Sequence, residues 1–474
     1  MENVVNHARR KAVLLVTTTI SFLTPFMSSG VNIALPAIGE QFNLDVILLS
    51  WVATSFMLTS ASLLIPFGRL ADIYGRKKIF VLGVIIFMVG SALCAISNSG
   101  AMLLIARGIQ GIGGAATFST CIAILTSEFP LEERGKVLGI NTGAVYLGLS
   151  LGPSLGGLLT QYAGWKSIFI ICAVLSLLVI IATFWKLKGV ATEVTKQKFD
   201  YAGSILYTLA LILTMLGVTL LSKSRTLAIW LVAGGISTIL FFIWWENRNK
   251  KPLMNLTLFK ENRSFTFSNL AALVNYSGTW AVSLLLSLYL QYVKGFDPKT
   301  AGLIMIASPA IQAIFSPVTG RLSDKIEPRI LASTGMAVSA LGIGLLIMIN
   351  QGTSIVYIIA CLVFLGFGFA LFSSPNTNAV MSSIDRKDYG IASAMLATMR
   401  QVGMMLSMGI TTVVFNLVIG QVKITSEHSQ DLISSSHIIF IISTILCFFA
   451  IFASLARGNM RENGINTNGS QLKT

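Results

Sequence analysis

The sequence predicts an all-α polytopic membrane protein with fourteen transmembrane helices, and three observations carry that prediction. Of the 474 residues, 54% are hydrophobic and 11% charged, whereas a soluble domain carries roughly a quarter charged residues. The apolar residues gather in runs of about twenty, the length a helix needs to cross a bilayer. The basic residues lie between those runs and not in one patch. The net charge of +15 therefore fits a positive-inside membrane protein, and no nucleic-acid partner is expected.

In order, the runs are Val13–Leu35, Leu48–Phe67, Ile79–Ile96, Leu103–Leu125, Val137–Leu159, Ile168–Trp185, Ala202–Leu221, Leu227–Trp245, Phe265–Tyr292, Ala301–Val318, Ile330–Ile349, Ile355–Val380, Ile391–Ile419 and Ile438–Ala456. The first follows Arg9-Arg10-Lys11, is too long for a signal peptide and has no small-residue cleavage site after it, so it reads as a retained helix. With that N-terminus inside, 26 of the 34 Lys and Arg lie inside, 6 outside and 2 within spans. This bias puts both termini in the cytoplasm of a multi-pass cell-membrane protein.

A charged turn joins spans 2 and 3: Gly68-Arg69-Leu70-Ala71-Asp72-Ile73-Tyr74-Gly75-Arg76-Lys77-Lys78. A shorter copy, Gly320-Arg321-Leu322-Ser323-Asp324-Lys325, follows 252 residues later with Gly, Arg, Leu and Asp at the same spacing. Aligning the turns pairs spans 1–6 with spans 9–14 and leaves spans 7 and 8 as an insertion. The expected division is an N-terminal six-helix bundle (1–188), a two-helix insertion with basic flanks (189–262), a C-terminal six-helix bundle (263–457) and a disordered cytoplasmic tail (458–474). Parallel half-repeats with a site at their interface are a transporter design.

Cys94, Cys121, Cys172, Cys361 and Cys447 fall inside apolar runs without CxxC spacing and read as packing residues. His7, His428 and His437 lie near span ends. No metal, no cofactor and no enzymatic activity are expected.

Two further stretches complete a pattern. Arg107-Gly108-Ile109-Gln110-Gly111-Ile112-Gly113-Gly114-Ala115 lies in span 4, and Gly148-Leu149-Ser150-Leu151-Gly152-Pro153-Ser154-Leu155-Gly156-Gly157 in span 5. With Gly68–Lys78, they match in order the loop motif, the R-x-x-Q-G-x-G motif and the G-x-x-x-G-P-x-x-G-G antiporter motif of one family. The chain resembles a major facilitator superfamily transporter of the fourteen-helix drug:H⁺ antiporter branch, the multidrug efflux type. The resemblance implies the major facilitator fold: two six-helix bundles plus two inserted helices.

It also implies gating by the turns. Gly68 and Gly75 permit close approach and a tight turn, and Asp72 is an acceptor suited to a helix N-terminus. The expected target of Asp72 is the start of span 13 near Tyr389-Gly390, with Asp324 facing Arg134 in the second half and Arg76 beside the first latch. The alternative is that Asp72 neutralises neighbouring arginines. In span 5, Gly148, Gly152, Gly156 and Gly157 allow close backbone approach and Pro153 bends the helix, which suits a hinge or tight packing equally.

An arginine inside a span is costly and turns toward a cavity or partner. Arg107 lies level with Ser28, Ser29 and Asn32 of span 1, and Gln110 follows on its face; the resemblance links this arginine to substrate or proton handling. The alternative is snorkelling to the interface. Arg400 and Gln401 are a second pair, in span 13. Met404 and Met408 continue their face, with Met395, Met399 and Met405 nearby; methionines suit a loose drug pocket or lipid-facing filler equally. Asn275, Tyr276 and Trp280 in span 9, with Asn376 and Asn378 in span 12, are further cavity candidates.

One position departs from the family. Relatives carry an acid in span 1, in L-D-x-T-x-x-N-x-A-L-P, and here Met27 stands at that place in Phe26–Pro36. Asp72, Glu128, Glu246, Asp324 and Asp385 all sit at or beyond helix ends. A cation in a low-dielectric cavity without a carboxylate is disfavoured, so a neutral, zwitterionic or anionic substrate is expected. Proton coupling would fall to Asp72, Glu128 or the substrate. The expected function is a monomeric secondary active transporter exporting small amphipathic or drug-like compounds by alternating access, with protons as candidate coupling ion. The alternative is a facilitator or antiporter of a neutral or anionic metabolite. A receptor or scaffold fits the paired turns and buried arginines less well, and a channel would need a ring-forming charged repeat.

Overall fold

The computed structural model describes residues 2–186, 199–221, 224–249, 252–254, 257–323, 325–384 and 389–458. Among the described residues fourteen helices are long and apolar enough to cross a membrane, and there is no strand. They are α1 (Glu2–Phe42), α2 (Val46–Tyr74), α3 (Arg76–Ile96), α4 (Gly100–Glu128), α5 (Leu131–Ala163), α6 (Lys166–Lys186), α7 (Tyr201–Thr219) and α8 (Arg225–Arg248). Then follow α9 (Arg263–Val293), α10 (Pro298–Ser323), α11 (Pro328–Leu346), α12 (Ile355–Ser382), α13 (Tyr389–Val418) and α14 (Ser429–Leu455). The polar tail at 459–474 and the basic stretch 187–198 lie outside the described residues.

Local chemistry sets the helix ends. Asp45 accepts from the N–H groups of Ile47 and Leu48 at 2.9 and 2.8 Å to start α2. Ser99, Ser354 and Asp297 cap α4, α12 and α10 in the same way. The turn between α2 and α3 pivots on Gly75, whose φ of 104° is open to glycine and strained for other residues. Two helices are interrupted. In α9 the ladder breaks at Trp280, where the Ala281 N–H bonds to Ser407 Oγ of α13 at 3.0 Å. In α10 it breaks at Ile306, just before Pro309, which has no N–H to offer.

The half-repeat is visible in the packing. α1 lies on α5, α2 on α4, and α3 on α4 and α6; correspondingly α9 lies on α13, α10 on α12, and α11 on α12 and α14. The two bundles meet by exchange, α2 against α13 and α5 against α10. The inserted hairpin α7–α8 rests on the α2/α13 seam. Tyr207 OH bonds the Ala61 carbonyl at 3.1 Å, and Asn416 Nδ2 of α13 bonds the Thr219 carbonyl at 3.2 Å. Outward faces are apolar, as a lipid-facing surface requires: Trp230 and Leu240 on α8 and Phe448, Phe449 and Phe452 on α14 are exposed.

Candidate functional site

The two ends of the bundle interface differ. At the end away from the basic loops the halves are stitched together. Asn32 Nδ2 donates to Ser283 Oγ at 3.3 Å, Ser287 Oγ to the Asn32 carbonyl at 2.7 Å, and Gln291 Nε2 to the Ile33 carbonyl at 3.0 Å. The Val46 N–H bonds the Val422 carbonyl at 3.0 Å, and Ser50 and Thr412 share a bond of 3.2 Å. Glycines make the approach possible: a Cβ on Gly157 or Gly302 would strike the backbone of the opposite half, at Pro298 and Pro153.

At the basic end the halves part around a cavity of about 820 Å³. Its walls are the N-terminal halves of α5 and α13, the C-terminal halves of α10 and α12 and parts of α1 and α4, including Asn141, Tyr146, Gly320, Thr377, Asn378 and Arg400. A Cβ on Gly139 or Gly143 would meet nothing within 4 Å. Among the described residues lining this space, Arg400 is the one charged side chain. Its Nη2 donates to Thr377 Oγ1 at 2.7 Å, its guanidinium lies 5.7 Å from the Tyr276 ring, and its Nε–H has no acceptor among the described residues. Tyr146 of α5 bonds Ser373 of α12 across the interface. Nearer the closed end is a second space of about 120 Å³, lined by Ser29, Pro153, Tyr276, Trp280, Ser283 and Gln312 among others and free of charge. Tyr276 thus links the two spaces. The Trp280 Nε1–H, buried and without an acceptor among the described residues, belongs to the smaller.

A comparison with known proteins decides the family. The family model described as Major Facilitator Superfamily matches residues 17–245 and 268–471. The chain belongs to the Major Facilitator Superfamily. It is a multi-pass membrane transporter and not an enzyme, in line with the family and the names of its relatives. It is 29% identical over 457 residues to the riboflavin transporter RibZ of Clostridioides difficile, covering 94% of this chain and 97% of that protein. It is 30% identical over 403 residues to the multidrug resistance protein Stp of Mycobacterium tuberculosis, covering 83% and 74% respectively. The fold matches a bacterial homolog of the human lysosomal transporter Spinster, solved inward-facing and unoccupied, with TM-score 0.65, 16% identity and coverage of 95% and 97%.

Within this superfamily fold the expected site residues scatter. Arg107 lines neither space. It is fully buried inside the N-terminal bundle, so it does not snorkel. Its Nε donates to the Val52 carbonyl at 2.8 Å, and its Nη1 to Gln110 Oε1 at 2.5 Å and Met27 Sδ at 2.7 Å. Phe56 and Phe169 lie 4.6 and 5.9 Å from the guanidinium. Gln110 Nε2 continues the chain to Ser91 Oγ at 2.7 Å. The reason is local: Arg107 and Gln110 share the face of α4 that packs on α2 and α3. Ser29 bonds the Pro25 carbonyl at 2.9 Å while touching the smaller space; Ser28 is buried beside it on α1.

Gln401 turns away from Arg400 and donates to Ser60 Oγ of α2 at 3.3 Å. Asn275 is wholly buried in the C-terminal bundle, its amide without a partner among the described residues. Asn376 lies there too, accepting from the buried Arg457 at 3.0 Å. Burial presses the Arg457 guanidinium down to about 10. The methionine pocket is corrected. Met395, Met399, Met404, Met405 and Met408 line neither space; Met395 packs with Phe265 and Ala271, Met405 with Leu58 and Tyr207, and Met408 in the main apolar core.

Of the turn residues, Asp72 accepts from Arg76 at 3.2 Å, and Arg76 also bonds the Ala123 carbonyl at 3.1 Å. Gly68 faces Ser119, Gly320 faces Ser374, and Arg134 bonds the Phe129 carbonyl at 3.1 Å. Asp324 and the side chains of Tyr389 and Gly390 lie outside the described residues. Glu128, the other carboxylate considered for protons, pairs with Arg9 at 3.3 Å. In α5, a Cβ on Gly148, Gly152 or Gly156 would collide with Phe22, Ser29 or Gly30 of α1. Tyr146, Ser373 and Thr377 escaped the sequence reading. Tyr146 had one visible signal, an aromatic hydroxyl set in the glycine-rich stretch of α5.

Proposed function

We propose that this protein is a secondary active transporter of the cell membrane that exports small amphipathic, drug-like compounds, neutral or anionic, by alternating access. The observation that carries the proposal is the cleft of about 820 Å³ between the two bundles, with Arg400 as its charged lining and no carboxylate among the described lining residues. An anionic or acceptor group entering it meets the Arg400 guanidinium, and a lipophilic cation meets repulsion. With the basic end cytoplasmic, the cleft opens inward and the stitched end is the outer gate. Rocking of the bundles would exchange these roles. Asp72 would then trade Arg76 for the start of α13, with Asp324 and Arg134 as its counterpart. One chain encloses the whole path, so a monomer suffices.

A second reading rests on a specific observation: the riboflavin transporter is matched over nearly its full length. Riboflavin is uncharged, planar and rich in acceptors, and a neutral metabolite of that kind fits the same cleft.

The test is flux into proteoliposomes of riboflavin, an anionic dye and a lipophilic cation, each with and without an imposed pH gradient. Uptake of the first two and refusal of the cation are expected; preference for the cation would overturn the proposal. A pH-independent flux selects the facilitator reading. Asp72→Asn is expected to fold and lose transport, and normal transport in that variant removes the latch.

A further inference from the structure

Among the described residues Glu246 is the least exposed acid, 3% exposed. It stands at the end of α8 in the inserted hairpin and faces Asp200, the N-cap of α7. Asp200 already accepts from three donors, which leaves it room for a fourth: the Gly203 N–H reaches it at 2.9 Å, Trp245 Nε1 at 3.1 Å and Asn249 Nδ2 at 2.6 Å. Glu246 Oε2 accepts the Met254 N–H at 2.9 Å, and Oε1 has no donor among the described groups. Both carboxyl groups crowd Gly203, where a Cβ would lie within 2.6 Å of Glu246 Oε1 and closer still to Asp200 Oδ2. A buried carboxyl beside a second carboxylate cannot ionise cheaply, and the economical state of Glu246 keeps a proton between the two.

Among the described residues no base on the neighbouring elements answers this charge. Arg248 stacks on Trp244 at 4.5 Å, and Lys260 bonds Asn247 Oδ1 at 3.0 Å. From α2, Tyr74 lies beside Tyr201. Lys196, Lys198, Lys250 and Lys251 lie outside the described residues.

We infer that Asp200 and Glu246 form a proton-binding site in which Glu246 donates through Oε1 to the Asp200 carboxylate, and that this proton fastens the Leu253–Met254 strap to the inserted hairpin. The strap matters because it joins the halves. Leu253 is buried with Leu58, Ala61 and Tyr207, and Met254 packs both there and against the cluster around Phe265 and Ala271 in the C-terminal bundle. Loss of the proton sets two negative charges against each other and loosens the strap where the bundles must move. The hairpin is then a sensor of cytoplasmic pH rather than a spacer. Only this regulatory consequence rests on the transport reading.

Infrared difference spectra of the full-length protein in lipid, recorded while pH is raised, test the site without any transport assay. The wild type is expected to lose one protonated-carboxyl C=O band, Glu246→Gln to lack that band, and Asp200→Asn, which keeps the helix cap, to shift it. Absence of the band in the wild type, or its survival in Glu246→Gln, overturns the proton site. If Glu246→Gln does not fold, an unshifted band in Asp200→Asn overturns it equally. Flux at clamped cytoplasmic pH tests the consequence. Glu246→Gln, which mimics the protonated acid, should transport with its pH dependence lost, and a wild-type pH profile in that variant overturns the sensor.

Discussion

Two arginines lie within the membrane spans, and their surroundings could hardly differ more. Arg107 is sealed among Val52, Met27, Gln110, Phe56 and Phe169 of the N-terminal bundle. Arg400 borders the open cleft, held by Thr377 and faced by Tyr276. In sequence they look alike, each in a span and each with a glutamine on the next residue or next turn. The difference teaches that a costly buried charge marks a site only when it borders a space that a ligand can enter. Arg107 gives Nε and Nη1 to its own bundle and its Nη2 is sealed there without an acceptor among the described residues, whereas Arg400 lines the cleft.

The largest effect that separates them is on folding. Arg107→Ala would leave a large void and strand the Gln110 carbonyl, at a cost of about 3 kcal/mol or more. Thermal unfolding in detergent should show a marked fall in Tm, with substrate preference unchanged in what remains folded. A wild-type Tm combined with abolished transport would move the functional role from Arg400 to Arg107.

Next in size is Arg400→Ala. Its neighbours face the cleft and can be hydrated, so Tm should hold within a few degrees. Flux of an anionic substrate should fall by about 10- to 100-fold, the worth of one charge-assisted hydrogen bond, while a neutral substrate loses less. Equal losses for both charge classes would make Arg400 a structural residue like Arg107.

Legibility in the sequence follows the same division. Span number, the half-repeat and the glycine seam of α5 were readable because they depend on composition and spacing, which the chain displays directly. The direction of a side chain around a helix axis was not. Arg107 and Ser28 share a depth, yet which face of α4 meets α2 is settled by packing across fifty residues of sequence. The methionines of α13 misled for the same reason, since apolar cavity wall and apolar helix contact use the same residue type. Tyr146 and Ser373 meet across the two halves, a pairing no local pattern announces. Glu246 was visible as a span-end acid, but its partner Asp200 lies at the far end of the hairpin in sequence.

A smaller effect probes the acid position. Met27 presents its sulfur to Arg107 Nη1 at 2.7 Å, and a thioether is a weak acceptor. Met27→Leu keeps the volume and removes the acceptor, so the loss should be under about 1.5 kcal/mol, typical of volume-conserving swaps. A Tm drop comparable to that of Arg107→Ala would mean that the sulfur, not the packing, holds the guanidinium in place.

The smallest effect lies in α5, which runs through both environments. A Cβ on Gly152 would collide with Ser29 Oγ and sit 2.8 Å from the Phe26 carbonyl, whereas one on Gly143 would meet nothing within 4 Å. Alanine favours a helix over glycine by up to about 1 kcal/mol. Gly143→Ala should therefore leave Tm unchanged or slightly raised, and Gly152→Ala should lower it. Transport by Gly143→Ala then reports on the other state of the cycle, because rocking that closes the basic end must press this part of α5 against α10 or α13. A stable Gly143→Ala protein with slowed flux would mean the glycine is reserved for that closed contact. Stable and fully active protein would mean the bundles close without touching there, and would confine the moving seam to α2 and α13.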